Sequence, residues 1–466
     1  MLVAKFGGTS VRDATCMAHV AGLIDDTRQR HGPLVVVVSA MAGVTNALFA
    51  LARAAASGHE EQARGMLEEL LTRHLATAGE LLRTSEERGQ AQQAIRTVID
   101  ELSRYIRSIA LLGEVTVRTL DLVAGAGERL SCALVAAALR ERGVPAEAVW
   151  ATELIVTDAH FGAAEPDLEQ SRLRICERLR PLVERGTVPV VTGYIAATPD
   201  GVPTTLGRGG SDFTAAILGA CLEASEVWIW SDVDGILTAD PNIVPEARTL
   251  AELSYADAAT LAAFGAEVLH PKTVAPLMER GIPLRLLNTF RPEHPGTRVV
   301  SQPQAEGPRP PAIISTHGLS LLGIAGNGAA WTPEVAGRAL SALAKAGVEV
   351  LMFSQSFSER TLSLLVRQAD REASLAALER EFGDDLRAGR LSRVAALSQV
   401  GTISVVGAPG GHGAGIVPKT FAALGRLNTP IVSVSQSASE YHVSVVVPEE
   451  DVDATVRFIH RELDAQ

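Results

Sequence analysis

Short apolar runs alternate with helix-like segments through the first part of the chain. LVAKF (2–6) and PLVVVVSA (33–40) are predicted strands, and the residues from Asp13 to Arg30 between them are a predicted helix. Two further apolar runs are TVPVVTGYIA (187–196) and EVWIWSDV (226–233). Continuous apolar strands separated by helices predict a mostly parallel sheet covered on both faces. Ligands of such sheets bind beyond the carboxyl ends of the strands.

The pattern changes from about Asn46 to Asp121, where strand signals vanish. Ala, Leu, Glu, Arg and Gln recur there with helical spacing, as in MLEELLTRHLATAGELL (66–82). We interpret these residues as a helical excursion from the sheet domain. We expect this excursion to provide packing or dimer contacts and to take no part in the chemistry. Together with this excursion, residues 1–292 form the predicted first domain.

A segment rich in proline and polar residues follows, from Phe290 to Pro311. Such composition is typical of a linker, which we place at 293–312.

An internal repeat occupies the rest of the chain. FSQSFSERTLSLLV (from Phe353) matches VSQSASEYHVSVVV (from Val434) at an ungapped shift of 81 residues. Two βαββα units are the simplest interpretation, at 313–392 and 393–466, and a strand near the boundary could be shared between them.

Composition and charge narrow the class of protein. The chain has 466 residues and a net charge of -12, which disfavours nucleic acid and anionic lipid as partners. Four cysteines lie far apart without a CxxC pair, so zinc and disulfide frameworks are not expected. The first residues, MLVAKFGGTS, lack the apolar run of a signal peptide, and no stretch approaches the roughly 20 apolar residues of a membrane span. These features predict a soluble, cytoplasmic protein.

Two loops after predicted strands carry candidate chemistry. In KFGGTS (5–10), Gly7 and Gly8 free the backbone to approach an anion, and Lys5 could neutralise a transferring phosphoryl group. A plain strand-to-helix turn beside a surface lysine is the alternative. SAMAGVTN (39–46) has small residues and hydroxyls suited to a polar ligand, or to ordinary helix capping.

Two further motifs open predicted helices. Glu128 in GERLSC (127–132) could bind an ammonium group, or could simply favour a helix first turn. GRGGSDFTAA (207–216) has three glycines around Arg208, whose guanidinium suits a carboxylate. Its alternative is a glycine turn with a capping Ser211 or Asp212.

Other glycine- or acid-rich stretches give weaker indications of a functional site. WSDVDGILTADP (230–241) lacks the spacing of a calcium loop, and an adenine or ribose contact is more natural. GAGIVPKT (413–420) misses a P-loop because Pro418 replaces a required glycine. The eleven histidines show no metal-binding spacing. No tightly held metal is therefore expected beyond magnesium accompanying ATP.

Taken together, these motifs resemble the aspartate kinase family of the amino-acid kinase fold. KFGGTS, SAMAGVTN, GERLS, GRGGSDFTAA, the run from Trp230 to Leu250, and the run from Val268 to Thr297 that contains LHPKT occur in the family's order. The repeated unit resembles paired ACT domains, the family's regulatory module. The resemblance implies an α/β kinase sheet flanked by helices, followed by two α+β ACT units. It also implies transfer of the ATP γ-phosphate to L-aspartate, a homodimer, and feedback by lysine or threonine.

The resemblance also implies residue roles. Lys5 would stabilise the transferring phosphoryl group, and Asp212 would organise that lysine. The residues implied to hold aspartate are Thr45, Glu128, Arg208, Gly209, Gly210 and Ser211. The residues implied to bind ATP are Lys5, Gly7, Gly8, Ser39, Ser231, Asp232, Leu237, Asn242, Glu267 and Val268. Gln355 and Gln436 are candidate effector contacts, or merely polar residues at strand ends.

Three positions depart from the family pattern. Relatives often carry Tyr at Leu237 and Arg at Asn242, and Lys is usual at Glu267; these changes bear on nucleotide affinity rather than on the reaction. Two other functions therefore stay open: a catalytically weak or dead amino-acid sensor, and a kinase for another substrate such as glutamate, acetylglutamate or UMP.

Overall fold

The computed structural model describes residues 1–263, 269–303, 310–326, 333–356, 360–407, 416–436 and 442–464. The chain forms two compact units. The first contains residues 1–236, 251–262 and 269–303, and the second contains 237–250 and the described residues from 310 onwards.

The first unit contains twelve strands and nine helices among the residues described above. Its strands are β1 (Leu2–Phe6), β2 (Leu34–Val38), β3 (Ala146–Val149), β4 (Val156–Thr157), β5 (Pro166–Asp167), β6 (Val188–Thr192), β7 (Ile195–Ala197), β8 (Pro203–Thr205), β9 (Glu226–Ser231), β10 (Glu252–Ser254), β11 (Leu284–Asn288) and β12 (Thr297–Val300). Its helices are α1 (Ala14–His31), α2 (Val44–Ala56), α3 (Glu60–Leu81), α4 (Ser85–Leu112), α5 (Val117–Glu141), α6 (Leu168–Glu184), α7 (Gly210–Leu222), α8 (Tyr255–Ala263) and α9 (Pro271–Arg280).

The main sheet has the order β10-β12-β11-β9-β1-β2-β6-β3. All neighbouring pairs are parallel except β11 with β12. Every residue of β1, β2 and β6 is buried, as expected for strands covered on both faces. The predicted parallel sheet is therefore confirmed, and its central strands are the apolar runs that the sequence shows.

The predicted linker differs from the structure at its start. Residues Thr297–Val300, within the proposed 293–312 segment, form β12 of the main sheet. Thr297 is fully buried, and its hydroxyl accepts a hydrogen bond from the Ile236 amide at 2.8 Å. Prolines nearby make this strand look like a linker, but the strand lies next to the sheet's edge, where short elements suffice.

The helical excursion is present as α2, α3, α4 and the start of α5. In α4 the buried residues recur every three or four positions, from Ala91 to Ile109, so one face packs into the core. Among the described helices, α5 is the one long and apolar enough to cross a membrane, but 83% of its apolar window is buried inside the protein. It is therefore the core helix of this unit.

The second unit is built on one six-stranded sheet. Its strands are β13 (Ala312–Gly326), β14 (Met352–Ser356), β15 (Thr361–Arg367), β16 (Leu391–Val406), β17 (Ser433–Gln436) and β18 (His442–Pro448), in the order β14-β15-β13-β16-β18-β17. Its helices are α10 (Pro333–Lys345), α11 (Arg371–Arg387), α12 (Ile416–Leu427) and α13 (Val452–Asp464).

The two repeated units share their long strands. One end of β13, at Leu322 and Ile324, packs into a core with Leu391 of β16. The other end of β13, at Ile313, packs into a second core with Ile403 of the same β16. Each long strand thus serves both cores, because β13 and β16 run antiparallel along their whole length.

Close packing of α7 against the sheet gives a stability prediction. A β-carbon at Gly219 would lie 2.4 Å from Val227 Cγ2, so Gly219→Ala overpacks this contact. We expect a loss of about 1–3 kcal/mol in the free energy of unfolding, measured by urea denaturation. The matched control is Gly65→Ala in α3, where nothing lies within 4 Å, and it should instead stabilise by about 0.5–1 kcal/mol. Equal effects of the two changes would contradict this account.

Candidate active site

The loops that follow four parallel strands lie at one edge of the main sheet. Lys5 is the penultimate residue of β1, Ser39 follows β2, Tyr194 follows β6, and Ser231 ends β9. Parallel strands place their carboxyl ends at the same edge, so the sequence motifs after these strands converge there.

A cavity of about 570 Å³ opens at this edge. It brings together ten predicted site residues: Lys5, Gly8, Ser39, Thr45, Glu128, Arg208, Gly209, Gly210, Ser211 and Asp212. Both predicted catalytic residues and all predicted aspartate contacts are among them. The motifs around residues 5, 39, 128 and 208, which are far apart in the sequence, thus form one site.

Lys5 and Asp212 form a buried ion pair at the floor of this cavity. Lys5 Nζ lies 2.5 Å from Asp212 Oδ1, and the side chains are only 10% and 14% exposed. Asp212 lies in the first turn of α7, where backbone amides also favour a negative charge. The ion pair therefore fixes the position of the Lys5 ammonium group, whereas an unpaired lysine would be flexible and solvated.

The KFGGTS loop is held to its neighbours by backbone hydrogen bonds. The Ala42 amide donates to the Gly8 carbonyl at 3.1 Å, and a β-carbon at Gly8 would lie 2.9 Å from the Ala40 oxygen. The Gly7 amide donates to the Trp230 carbonyl at 3.1 Å. The amide of Gly7 is therefore already used within the fold, and the predicted approach of this loop's backbone to an anion stays a prediction.

Glu128 is a buried acid with one unsatisfied oxygen. Its Oε1 accepts a hydrogen bond from the Ala40 amide at 3.3 Å, while Oε2 has no hydrogen-bond partner in the described part of the chain. Burial raises the pKa of Glu128 to about 8, and the bond from Ala40 only partly opposes this. A cation entering the cavity would supply the missing partner.

Glycines shape the turn that carries Arg208. Gly207 and Gly209 both have positive φ, at 78° and 68°, so this turn needs residues without a β-carbon. A β-carbon at Gly209 would also lie 2.3 Å from His270 Cβ. The turn leaves Arg208 exposed at the wall of the cavity.

Hydrogen bonds hold the loop after β9 in place. Asn288 Nδ2 donates to the Asp232 carbonyl at 3.3 Å and to Asp234 Oδ1 at 2.8 Å, and Arg291 pairs with the same Asp234 carboxylate. The Ser231 carbonyl accepts from the Thr289 amide at 2.8 Å. Ser231 and Asp232 thus lie on an ordered loop next to β1, outside the cavity lining.

Two further predicted nucleotide residues, Leu237 and Asn242, are not among the residues that line the cavity. Leu237 and Asn242 belong to the second unit, where Leu237 pairs with Thr249 and Asn242 bonds to the Asp240 carboxylate. Glu267 and Val268 lie outside the described residues. Their contacts with ATP stay predictions.

Sequence reasoning missed Tyr194 and Gly162, which also line the cavity. Tyr194 has φ 68°, which is unusual for a residue with a side chain. The Gly-Tyr pair after a buried strand was the available signal, but we assigned these residues to the strand.

The two predicted effector residues occupy equivalent places in the second unit. Gln355 and Gln436 lie near the ends of β14 and β17, and Gln355 Nε2 is buried without a hydrogen-bond partner among the described residues. Residues 413–415 of the P-loop-like stretch at 413–420 lie outside the described residues, and the rest begins α12.

Comparison with known proteins supports this picture. The model of the amino acid kinase family matches residues 1–288, and an ACT domain model matches 322–382 and 403–463. These two ACT matches confirm the internal repeat and its shift of 81 residues.

Curated relatives share sequence over nearly the whole chain. A bifunctional aspartokinase/homoserine dehydrogenase 1 of Zea mays is 33% identical over 98% of this chain and 50% of its own length. Aspartokinase 1 of Arabidopsis thaliana is 31% identical over 98% of this chain and 79% of its own length. The chain thus spans about half the length of the bifunctional relatives that it matches.

Solved structures agree with the fold. E. coli aspartokinase III in complex with aspartate and ADP gives a TM-score of 0.83 at 28% identity, covering 100% of both chains. The same enzyme in complex with lysine and aspartate gives 0.79 at 28% identity, covering 99% of both chains. This chain belongs to the amino acid kinase family, within its aspartokinase branch that carries paired ACT domains.

Proposed function

We propose that this chain is an aspartate kinase, which transfers the γ-phosphoryl group of ATP to the β-carboxylate of L-aspartate and forms 4-phospho-L-aspartate. The observation that carries the proposal is one cavity that joins the Lys5–Asp212 ion pair to Glu128 and Arg208. Relatives named aspartokinase, one of them solved with aspartate and ADP, support it.

The amino-acid side of the cavity offers complementary charges. Glu128 Oε2 accepts the α-ammonium group, and the Arg208 guanidinium binds the α-carboxylate through its paired N–H donors. Thr45 and the turn from Gly209 to Ser211 contact the rest of the substrate. This arrangement leaves the β-carboxylate to point towards Lys5.

Charge neutralisation and positioning carry the reaction. A β-carboxylate oxygen forms a bond to the γ-phosphorus, and the bond from that phosphorus to the bridging oxygen of ADP breaks. The β-carboxylate is ionised at pH 7, so no base must remove a proton. Lys5, held by Asp212, stabilises the negative charge on the phosphoryl oxygens.

The nucleotide side is formed by the KFGGTS loop, Ser39, and the loop that begins at Ser231 and Asp232. Mg²⁺ would enter as a complex with ATP, bound chiefly by the phosphates. The part of the chain that the structure describes contains no group of three or more His, Cys, Asp or Glu side chains placed to hold a metal.

We further propose a cytoplasmic homodimer whose product enters the biosynthesis of aspartate-derived amino acids. The paired ACT domains would bind an end-product amino acid, lysine or threonine. E. coli aspartokinase III solved with lysine supports an effector of this class.

The first prediction concerns the reaction. With ATP and Mg²⁺, the protein should form an acyl phosphate with L-aspartate, trapped by hydroxylamine, and should not form one with L-glutamate or N-acetylglutamate. UMP should also be inactive as a substrate, as measured by the release of ADP. Lys5→Met keeps most of the side-chain volume but removes the charge, and should lower kcat by roughly 10²–10³-fold.

A matched lysine provides the control for this change. Lys345→Met, on α10 in the second unit, should retain normal turnover. Circular dichroism and the melting temperature must show that both variants are folded. Normal turnover in folded Lys5→Met would remove Lys5 from its role, and a folded wild-type protein inactive with every substrate would favour the sensor alternative.

The second prediction concerns pH. Because the pKa of Glu128 is about 8 in the empty site, aspartate binding must remove its proton at lower pH. The affinity for aspartate should therefore rise by up to about tenfold per pH unit between pH 6 and about 8, and then flatten. Calorimetry in buffers of different ionisation enthalpy should detect the released proton. Glu128→Gln should bind aspartate weakly, and its affinity for aspartate should not show this pH dependence.

A stability measurement tests the same group without substrate. The folded pKa of Glu128 lies above its ordinary value of 4.5, so the folded state binds more protons than the unfolded state between these values. Stability relative to Glu128→Gln should then fall as pH rises from about 4.5 to about 8, by on the order of 1 kcal/mol per unit. A difference that does not change with pH would show that Glu128 is ionised in the empty protein.

The third prediction concerns regulation. If Gln355 donates its unpartnered Nε2 to an amino-acid effector, Gln355→Ala should weaken inhibition by lysine or threonine about 3- to 10-fold, with basal kcat unchanged. The exposed Gln93→Ala on α4 is the matched control and should leave inhibition unchanged. If neither amino acid alters the kinetics or the melting temperature of the wild type, effector control by these two is wrong.

A further inference from the structure

A second buried acid, Asp121, lies behind the amino-acid side of the cavity. Its side chain is on α5, two helical turns before Glu128, and the residue is only 3% exposed. Asp121 lies outside the sequence motifs of the candidate site.

Three hydrogen bonds end on the Asp121 carboxylate. Oδ2 accepts from the Gly162 amide at 2.9 Å and from the Thr205 amide at 3.1 Å, and Oδ1 accepts from the Thr205 hydroxyl at 2.7 Å. All three donors are neutral, and they come from two different segments of the chain. Burial raises the pKa of Asp121, and these three bonds oppose the rise.

The first of these segments forms one wall of the cavity. Gly162 lines the cavity, and its loop is joined to β8 by the bond from the Ala164 amide to the Thr205 carbonyl at 2.9 Å. A β-carbon at Gly207 would lie 3.3 Å from the Gly162 oxygen. The loop therefore supports the turn that carries Arg208.

The second connection leads to Tyr194. The residue after β8, Leu206, donates its amide hydrogen to the Tyr194 carbonyl at 2.9 Å. Within β8, Thr205 donates to Asp121 through both its amide and its hydroxyl. Asp121 thus holds the end of β8 from which Tyr194 is bound.

Tyr194 needs such support because its backbone is strained. A non-glycine residue at φ 68° costs about 1–3 kcal/mol and persists where its surroundings hold it. Its amide donates to the Thr214 hydroxyl at 3.0 Å, and its ring packs on Gly210, where a β-carbon would lie 2.6 Å from Tyr194 Cδ2.

We propose that Asp121 is a positioning residue for the amino-acid half of the site. Through Gly162 it holds the wall that supports the Arg208 turn, and through Thr205 it holds Tyr194 against the cavity. Asp121 does not touch the substrate. Its kinetic effect rests on the proposed aspartate kinase activity, whereas its effect on the wall does not.

The test compares two neighbouring threonines of β8. Thr205→Val removes the hydroxyl that donates to Asp121, and Thr205→Ser restores one. Thr204→Val is the matched control, since Thr204 is equally buried but its hydroxyl bonds to Thr157 at 2.7 Å, on the opposite face of the strand. We expect Thr205→Val to raise KM for aspartate about 3- to 10-fold while KM for ATP stays unchanged. Thr205→Ser should have KM values near those of the wild type. Thr204→Val should lower the stability of the protein without changing KM for aspartate.

Amide hydrogen exchange provides a readout that needs no catalysis. Asp121→Asn should speed exchange at the Gly162 amide, while Thr204→Val should not. Wild-type protein without acyl-phosphate formation would overturn the proposed function but leave this measurement valid. Unchanged exchange at Gly162 in Asp121→Asn, or equal KM values for aspartate in Thr205→Val and Thr204→Val, would overturn the positioning role.

Discussion

The buried ion pair between Lys5 and Asp212 is the constraint on which the site depends. A buried charge is costly unless a partner compensates it, so each residue fixes the other. Lys5 is set by β1 and Asp212 by the first turn of α7, and the pair therefore requires these two elements to meet at one edge of the sheet.

Three buried acids of this unit differ in what faces them, and their chemistry differs accordingly. Asp212 meets an ammonium group, Asp121 meets three neutral donors, and Glu128 meets one backbone amide. Glu128 Oε2 has no hydrogen-bond partner among the described residues, so Glu128 would gain a partner if a cation bound there. The same residue class thus pairs with a lysine, accepts bonds from neutral donors, and leaves an acceptor open at the cavity.

The sequence predicts the sheet well because its central strands are buried on both faces and appear as continuous apolar runs. It also predicts most of the site, since Lys5 lies near the end of one such strand and Ser39 follows another directly. Tyr194 could not be found this way, because its position depends on a left-handed backbone and on a bond from its carbonyl to the Leu206 amide, twelve positions later. Asp121 was hidden for a similar reason: its partners belong to distant segments that only the fold brings together.

Residues 237–250 show a further limit of motif reasoning. They contain Leu237 and Asn242 of the predicted nucleotide loop, yet Ala239, Ile243 and Val244 pack in a core of the second unit. Thr238 is bound on two sides there, because its carbonyl accepts from the Ile313 amide at 2.8 Å and its hydroxyl lies 3.0 Å from His460 Nε2. One motif therefore crosses from one compact unit to the other between Ile236 and Leu237, and its two halves are stabilised by different cores. The local sequence defines which functional groups such a motif carries, but the packing of each half determines where those groups are positioned.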